Sequence, residues 1–335
     1  MNYLKKNFSL KNYNSFKLDV TTSNFAKFSS LEQLNYLLKK NNKKLLILGG
    51  GSNLLFTKNF EGTILYNNIC GISIIKENKQ HITVKVGAGE LWDNFVSWSV
   101  NNNYSGIENL ALIPGNVGAC PIQNIGAYGM EVKDTIEKVI AVEIKSNKIK
   151  EFKNVDCKFK YRESIFKKKL KNKYIITHVL FKLSKSHLNI TSYGDVSNEL
   201  KKLKLDANPK NISLAVSNIR NKKLPNPKQL ANCGSFFKNP TITRQKFEKL
   251  KKKFPEIIGY QISEQKIKIA AGWLIDNAGM KGYRIGDAGV HKNQALVLVN
   301  YGNASGKDIL NLAKIIKKKI KEIYNIELEN EVTII

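Results

Sequence analysis

The segment from Tyr104 to Met130 constrains the fold more than any other stretch of the chain. Its sequence, YSGIENLALIPGNVGACPIQNIGAYGM, contains five glycines and two prolines, Pro114 and Pro121. Glycine permits tight turns and φ values that other residues avoid, and proline fixes φ and removes a backbone donor. The pattern therefore predicts a shaped loop and not a helix.

The same region is depleted of positive charge. No lysine or arginine occurs from Val86 to Val132, although the chain has 55 basic residues among 335. A buried core segment would explain this depletion, but it would not explain the glycines beside Asn116, Gln123 and Asn124. Backbone N–H groups in glycine turns bind phosphate without lysine. We therefore favour a ligand cradle, with a plain buried loop as the alternative.

A second glycine-rich loop lies nearer the N-terminus. A predicted strand, Lys44 to Leu48, leads into Gly49-Gly50-Gly51-Ser52-Asn53 and then into Leu54-Leu55-Phe56. The G-x-G-x-x-G spacing and the following helix of a Rossmann turn are missing. Taken alone, the loop is equally well explained as a hairpin turn, but two such loops in one half of the chain favour phosphate binding.

Apolar periodicity predicts a mixture of helices and strands. Ser29 and Glu32 form a predicted capping box for a helix that ends at Lys40. A second helix, Ser305 to Tyr324, is predicted to bury one apolar face that includes Ile323, and a final strand is predicted over Ile326 to Ile335. A domain boundary is expected between Ser184 and Arg220.

The charge of the chain, formally +28, is typical of proteins that bind nucleic acid. The excess, however, is almost entirely lysine, and base recognition depends on the bidentate fork of arginine. We therefore predict no specific nucleic-acid partner and expect only nonspecific binding of polyanions, with a nucleic-acid-binding protein as the rival hypothesis.

The cysteines and histidines are scattered and match neither a disulfide framework nor a metal site, so no metal is predicted. The N-terminus lacks the apolar core of a signal peptide, and no run approaches the roughly 18 apolar residues that span a bilayer. The expected protein is a cytoplasmic monomer with no membrane partner.

Several reaction classes lack their motifs. The chain has no G-x-S-x-G elbow and no P-loop. Two glycine loops followed by a polar segment suit a large phosphorylated cofactor beside a substrate domain. Arg162 follows Tyr161 and precedes Ile165, which would hold its guanidinium in place, and a surface ion pair with Glu163 explains it equally well.

Six motifs together resemble the UDP-N-acetylenolpyruvoylglucosamine reductases, in the long form with a tyrosine loop. They are Gly50-Gly51-Ser52-Asn53, Ile113-Pro114-Gly115, the PIQNIGAYG string from Pro121 to Gly129, Tyr161-Arg162, the GSFFKNP string from Gly234 to Pro240, and Glu329-Asn330-Glu331-Val332. The resemblance implies an α+β fold: a two-subdomain FAD-binding fold of the vanillyl-alcohol-oxidase (PCMH) type plus a C-terminal α/β substrate-binding domain. The implied domains are 1–70, 71–215 with the tyrosine loop, and 216–335.

The resemblance also implies an activity in peptidoglycan synthesis, with FAD as cofactor and NADPH as hydride donor. UDP-N-acetylglucosamine enolpyruvate would be the small-molecule substrate, reduced to UDP-N-acetylmuramate by hydride transfer from flavin N5 to C3. In the family's mechanism Arg162 and Glu331 would polarise the substrate carboxylate, and Ser235 would deliver a proton to C2. A catalytically inactive relative is a rival hypothesis, which the presence of all three residues disfavours.

The remaining site residues follow from the same resemblance. Those expected at the cofactor are Gly49, Gly50, Gly51, Ser52, Asn53, Leu54, Pro114, Gly115, Gly118, Ala119, Cys120, Ile125, Gly126, Ala127 and Tyr128. Those expected at the substrate are Tyr193, Arg220, Lys223, Asn239 and Gln294. Ala119-Cys120 departs from the small hydroxyl or glycine residues of many relatives, so only backbone contacts to FAD are expected there.

Overall fold

The structure, a computed structural model, describes residues 4–335, which form both strands and helices. The strands are β1 (Lys5–Ser9), β2 (Thr21–Phe28), β3 (Leu45–Leu48), β4 (Leu54–Leu55), β5 (Phe60–Asn67), β6 (Ile72–Glu77), β7 (His81–Gly87), β8 (Gly126–Ala127), β9 (Met130–Glu131), β10 (Ile136–Glu143), β11 (Ile149–Lys153), β12 (Tyr174–Ser184), β13 (Ala231–Ser235), β14 (Thr241–Thr243), β15 (Gly259–Ser263), β16 (Lys266–Ile269), β17 (Arg284–Ile285), β18 (Ala288–Val290), β19 (Val297–Asn300) and β20 (Thr333–Ile334). The helices are α1 (Leu31–Lys40), α2 (Trp92–Asn101), α3 (Val196–Leu203), α4 (Pro209–Lys223), α5 (Arg244–Lys253), α6 (Ala271–Asn277) and α7 (Gly306–Tyr324).

The contacts within the chain divide it into two units. Unit 1 contains the chain up to Phe8, Thr22–Gly50 and Glu61–Lys222. Unit 2 contains Ser9–Thr21, Gly51–Phe60 and Lys223–Ile335. The three domains expected from the resemblance stay a prediction.

Unit 1 is built on two sheets. Four strands lie in the order β1-β2-β5-β3, with β3 and β5 parallel. Five antiparallel strands lie in the order β11-β10-β12-β7-β6. The central strand β12 is buried along most of its length, and its Phe181 ring lies 4.7 Å from Phe95 and 6.0 Å from Trp92 of α2. Aromatic packing of this kind buries α2 against the sheet.

Helix α1 forms as predicted, but its N-cap is one residue later. The Ser30 hydroxyl, not that of Ser29, accepts the Gln33 N–H at 3.2 Å. The Gln33 side chain in turn accepts the Ser29 N–H at 2.8 Å. The capping box with Glu32 was therefore wrong, because Gln33 reaches back from the next position and Leu34, Leu37 and Leu38 still face the core.

Unit 2 contains a four-stranded antiparallel sheet, β13-β19-β18-β17, and a three-stranded antiparallel sheet, β14-β16-β15. Helix α7 begins at a capping box formed by Ser305 and Asp308. Its buried face includes Ile309, Leu312 and Ile316, whereas Ile323 is exposed, contrary to prediction. The exposure follows from the geometry of the last turn, in which Tyr324 takes the inward position.

The C-terminal strand is shorter than predicted. Only Thr333–Ile334 forms β20, which pairs in parallel with Leu54–Leu55 of β4. Before it, the Lys238 N–H donates to the Glu329 carbonyl at 2.9 Å, so this part of the chain pairs locally with the segment after β13. Among residues 4–335, no helix is long and apolar enough to cross a bilayer.

Candidate active site

The segment from Tyr104 to Met130 is a shaped loop, as predicted. It contains two short 3-10 helices, Glu108–Leu110 and Val117–Ala119, and the hairpin of β8 and β9. Gly115 has φ +121° and Tyr128 at the hairpin turn has φ +47°. Such values require glycine at the first position and hold Tyr128 in a left-handed conformation at the second.

The two glycine loops meet inside unit 1. A Cβ at Gly50 would lie 2.8 Å from Oδ1 of Asn116 and 3.0 Å from Cα of Gly115. Asn116 is buried, and its Nδ2 donates to the Gly89 carbonyl, which fixes the side chain against Gly50. Glycine at position 50 is therefore required for the loops to touch.

A second close backbone approach lies between Gly118 and Ala88. A Cβ at Gly118 would lie 2.6 Å from Cβ of Ala88, and the Gly118 N–H donates to the Ala88 carbonyl at 2.9 Å. The result is a backbone cradle with no cationic side chain in the sequence around it. Such a cradle fits the pyrophosphate of a dinucleotide, because main-chain groups can approach the ligand closely.

A partly buried arginine binds the backbone just before Pro114 and Gly115. Nη2 of Arg220 donates to the Leu112 carbonyl at 3.2 Å, and Nε has no hydrogen-bond partner among residues 4–335. Burial lowers the pKa of Arg220, while Tyr128 and Asp93 act in the opposite direction. Because a guanidinium keeps its proton in proteins, Arg220 supplies a fixed positive charge that also fits an anionic ligand.

Arg162 binds the PIQNIGAYG loop. Its Nη2 donates to the Gly126 carbonyl at 2.6 Å and its Nη1 to the Asn124 carbonyl at 3.4 Å. A Cβ at Gly126 would lie 3.2 Å from Nη1, so glycine makes room for the guanidinium. Glu163 forms an ion pair with Lys168 at 3.2 Å. The guanidinium is therefore held in place, as one of the two interpretations of the sequence expected.

The loop that carries Tyr193 packs on the same hairpin. A Cβ at Gly129 would lie 3.1 Å from Cβ of Tyr193, and a Cβ at Gly194 would lie 3.4 Å from the Tyr128 ring. Tyr193 itself is 45% exposed. Unit 1 therefore brings Arg162, Tyr128 and Tyr193 together around one turn.

The second half of the Gly49-Gly50-Gly51-Ser52-Asn53 loop belongs to unit 2. Gly51 has φ +63°, and a Cβ there would lie 2.1 Å from the Tyr13 carbonyl oxygen. The Gly51 carbonyl accepts the Ser15 N–H at 3.1 Å. Asn53 then connects the loop to the C-terminal segment, since its side chain donates to the Glu331 carbonyl at 3.4 Å and its carbonyl accepts the Thr333 N–H at 3.1 Å.

Ser235 and Glu331 lie on neighbouring segments of unit 2. Ser235 ends β13 directly after Gly234, whose φ is +71°. The Glu331 N–H donates to the carbonyl of Phe236, the next residue, at 2.8 Å. Burial, and in second place the charge of Glu331, raises the pKa of the Cys233 thiol well above its usual value. The predicted serine and carboxylate are thus brought together by backbone pairing.

Two of the predicted substrate residues meet at the start of α6. Oδ1 of Asn239 accepts the Ala271 N–H at 2.9 Å, and Oε1 of Gln294 lies 3.3 Å from the Cβ position of Gly272. The N-terminal end of a helix carries positive potential. Lys223, at the end of α4, is the first residue of the last segment of unit 2.

Sequence reasoning missed the residues that shape the site without matching a motif. Asn109 is fully buried and donates to the Tyr128 and Ile190 carbonyls at 2.9 and 2.8 Å. Glu108 is also fully buried and accepts the Gly106 N–H at 2.6 Å. A polar residue in a glycine-rich apolar segment is the only signal that could have indicated them.

Comparison with known families connects this geometry to a function. Residues 26–148 match the family model for an FAD binding domain, and residues 226–335 match the C-terminal domain of UDP-N-acetylenolpyruvoylglucosamine reductase. A UDP-N-acetylenolpyruvoylglucosamine reductase of Flavobacterium johnsoniae is 50% identical over 335 residues, covering 99% of each chain. The chain belongs to this reductase family.

Other members of the family are similar to this chain over nearly its full length. The corresponding protein of Aliivibrio fischeri is 44% identical, covering 97% of this chain and 93% of its own. The crystal structure of the Thermus caldophilus reductase has a TM-score of 0.68 at 22% identity, covering 99% of this chain and 98% of its own, which shows the shared fold. The predicted family and the predicted fold class, an FAD-binding PCMH-type domain plus the C-terminal domain of these reductases, are confirmed. So is the prediction of an FAD-dependent oxidoreductase.

Proposed function

We propose that this reductase converts UDP-N-acetylglucosamine enolpyruvate to UDP-N-acetylmuramate in peptidoglycan synthesis, with NADPH as reductant. The observation that carries the proposal is the full-length similarity to reductases of that name, together with the glycine cradle of unit 1. When bound, FAD supplies the hydride-transfer chemistry that links NADPH to C3 of the enolpyruvyl group.

The cradle residues are assigned to the cofactor. They include Gly49, Gly50, Gly115 and Gly118, and also Gly51, Ser52, Asn53 and Leu54. Ala119 and Cys120 contribute backbone, because the Cys120 side chain is buried and burial raises its thiol pKa well above the usual value. The hairpin residues Ile125, Gly126, Ala127 and Tyr128 complete this set together with Pro114.

Ser235 is assigned as the proton donor to C2. A serine hydroxyl is a weak acid, so it can protonate only a strongly basic carbon at close range in a site that excludes water. Its position at the end of a strand, after a left-handed glycine, fixes its backbone against β19. Glu331 on the adjacent segment is assigned to the substrate carboxylate, and two adjacent carboxyl groups raise each other's pKa.

Arg162 is also assigned to the substrate carboxylate. The two loop carbonyls that it binds through Nη1 and Nη2 hold its planar fork in one orientation. For the sugar nucleotide, Lys223 suits the charge of the diphosphate, and Asn239 and Gln294 supply polar groups at the start of α6. Tyr193 and Arg220 are the unit 1 residues assigned to substrate.

The test separates the two half-reactions. Ser235→Ala is expected to leave reduction of the bound flavin by NADPH within about twofold of wild type, and to slow its reoxidation by the enolpyruvyl substrate about 100-fold or more, the range of general acid catalysis. Ser263→Ala, an exposed serine of β15 in the same unit, is the matched control and should change neither rate. Equal losses in both half-reactions would assign Ser235 a structural role.

The wider setting is part of the same proposal. The protein is proposed to be a cytoplasmic monomer that acts on a small-molecule substrate and has no specific nucleic-acid partner. The three domains 1–70, 71–215 and 216–335 are proposed as its functional divisions.

A further inference from the structure

Hydrogen bonds from the segment 105–109 hold the loop that carries Tyr193, residues 185–195. Both segments belong to unit 1. At the start of the loop, Ser105 and Ser184 exchange two backbone hydrogen bonds of 2.8 and 2.9 Å. Further on, the Ser105 hydroxyl accepts the Leu188 N–H at 3.2 Å and donates to Oε1 of Glu108 at 2.5 Å. The buried carboxylate thus orients the hydroxyl that holds the loop.

Asn109 makes the last and most direct of these attachments. Both hydrogens of its Nδ2 are used, one on the Ile190 carbonyl of the tyrosine loop and one on the Tyr128 carbonyl of the PIQNIGAYG loop. One rigid amide therefore fixes the separation of two backbone segments. The side chain is fully buried, so water cannot replace it without opening the structure.

The two loops also pack on one another at two glycines. Gly129 and Gly194 face Tyr193 and Tyr128, and neither glycine adds a side chain to the packing. Tyr193 is substantially exposed, as are most residues from 185 to 195. In addition to this packing, the Asn109 amide is hydrogen-bonded to the backbone of both loops.

We propose that Asn109 is a positioning residue that holds the tyrosine loop in its substrate-binding arrangement while touching neither cofactor nor substrate. The inference rests on the proposed function through the role of Tyr193. If these hydrogen bonds of Asn109 are lost, only a fraction of molecules present Tyr193 correctly, and the apparent affinity for the enolpyruvyl sugar nucleotide falls by that fraction. Because Tyr193 is assigned to the sugar nucleotide, reduction of the flavin by NADPH is expected to change little.

The experiment compares Asn109→Ala with Asn154→Ala in the FAD-loaded protein. Asn154 is a matched control in unit 1, because its Nδ2 also bridges two backbone carbonyls, those of Lys133 and Ile136, both at 2.7 Å. Asn109→Ala is expected to raise the KM for UDP-N-acetylglucosamine enolpyruvate about tenfold, as for a competent fraction of about one tenth. Its rate of flavin reduction should stay within about twofold of wild type, and Asn154→Ala should leave both quantities unchanged.

Hydrogen exchange gives a readout that is independent of catalysis. Amides within residues 185–195 should exchange faster in Asn109→Ala than in wild type or in Asn154→Ala. Equal exchange and equal KM in the two variants would overturn the proposal. If wild-type protein were not reoxidised by the enolpyruvyl substrate, the proposed function would fail, and the exchange data alone would decide whether Asn109 fastens the loop.

A second variant covers the case in which Asn109→Ala does not fold. Gly194→Ala is at an exposed position with φ +66°, and its new Cβ would lie 3.4 Å from the Tyr128 ring. The strained turn is expected to loosen the same contact and raise the same KM severalfold. If Gly194→Ala changed neither the KM nor the exchange of residues 185–195, the proposal would be overturned.

Discussion

Gly50→Ala tests whether the meeting of the two glycine loops is what binds FAD. The new Cβ would overlap Asn116 Oδ1 at 2.8 Å and the Gly115 Cα at 3.0 Å. Neither neighbour can retreat easily, since Asn116 is held by the Gly89 carbonyl and Gly115 contributes backbone. Overpacking of a rigid site costs about 1–3 kcal/mol. If the loops separate to relieve the overlap, FAD affinity falls by about 5- to 150-fold.

The assay is the dissociation constant of FAD, measured by the change in flavin fluorescence on titration into cofactor-free protein. Gly49→Ala is the matched control, because its Cβ would lie 3.4 Å from Asn116 Oδ1, an ordinary van der Waals distance. The expected order of affinity is wild type, then Gly49→Ala, with Gly50→Ala clearly weakest. Equal affinity of the two variants would refute the reasoning, because the cradle would then not depend on the close approach at position 50.

Three further predictions concern charged groups. Arg162→Lys cannot bind the Gly126 and Asn124 carbonyls with one planar fork, so flavin reoxidation should slow at least tenfold, and the unfolding free energy should fall by about 2 kcal/mol in urea denaturation. Glu331→Gln should slow reoxidation by substrate and change its KM while leaving reduction by NADPH intact; unaffected reoxidation in stopped-flow absorbance would contradict the assignment. Burial, and to a smaller extent Lys85, lowers the pKa of His178 from the usual 6.5 to about 4, so the unfolded chain binds this proton at higher pH than the folded chain does. Its contribution to stability is complete above about pH 6.5 and is lost as the pH falls towards 4, and His178→Gln should reduce the difference in urea stability between about pH 7 and pH 4.5.

Local signals predicted helix α1, helix α7 and the glycine-rich loop. Helix α7 was found from its apolar period and from Ser305 at its start, and the structure adds the reciprocal bond to Asp308. The loop from Tyr104 to Met130 was found from its glycines and prolines, whose conformational limits are independent of tertiary context. These features are encoded within a few residues, so a single sequence is enough to find them.

Features that depend on distant partners were not predictable. Asn109 binds carbonyls 19 and 81 residues away, and nothing in its own neighbourhood indicates either partner. The predicted C-terminal strand is too long, because the alternation of apolar residues does not show where pairing stops. In the structure β20 pairs with Leu54–Leu55 over two residues only. The sequence alone leaves the role of Arg162 open, because the Gly126 carbonyl that it binds is 36 residues away.

The most direct test of the account is an anaerobic absorbance experiment on the FAD-loaded protein. Addition of NADPH should bleach the flavin bands, and subsequent addition of UDP-N-acetylglucosamine enolpyruvate should restore them with formation of one equivalent of UDP-N-acetylmuramate. Protein that cannot be loaded with FAD, or reduced flavin that the enolpyruvyl substrate does not reoxidise, would contradict the central claim.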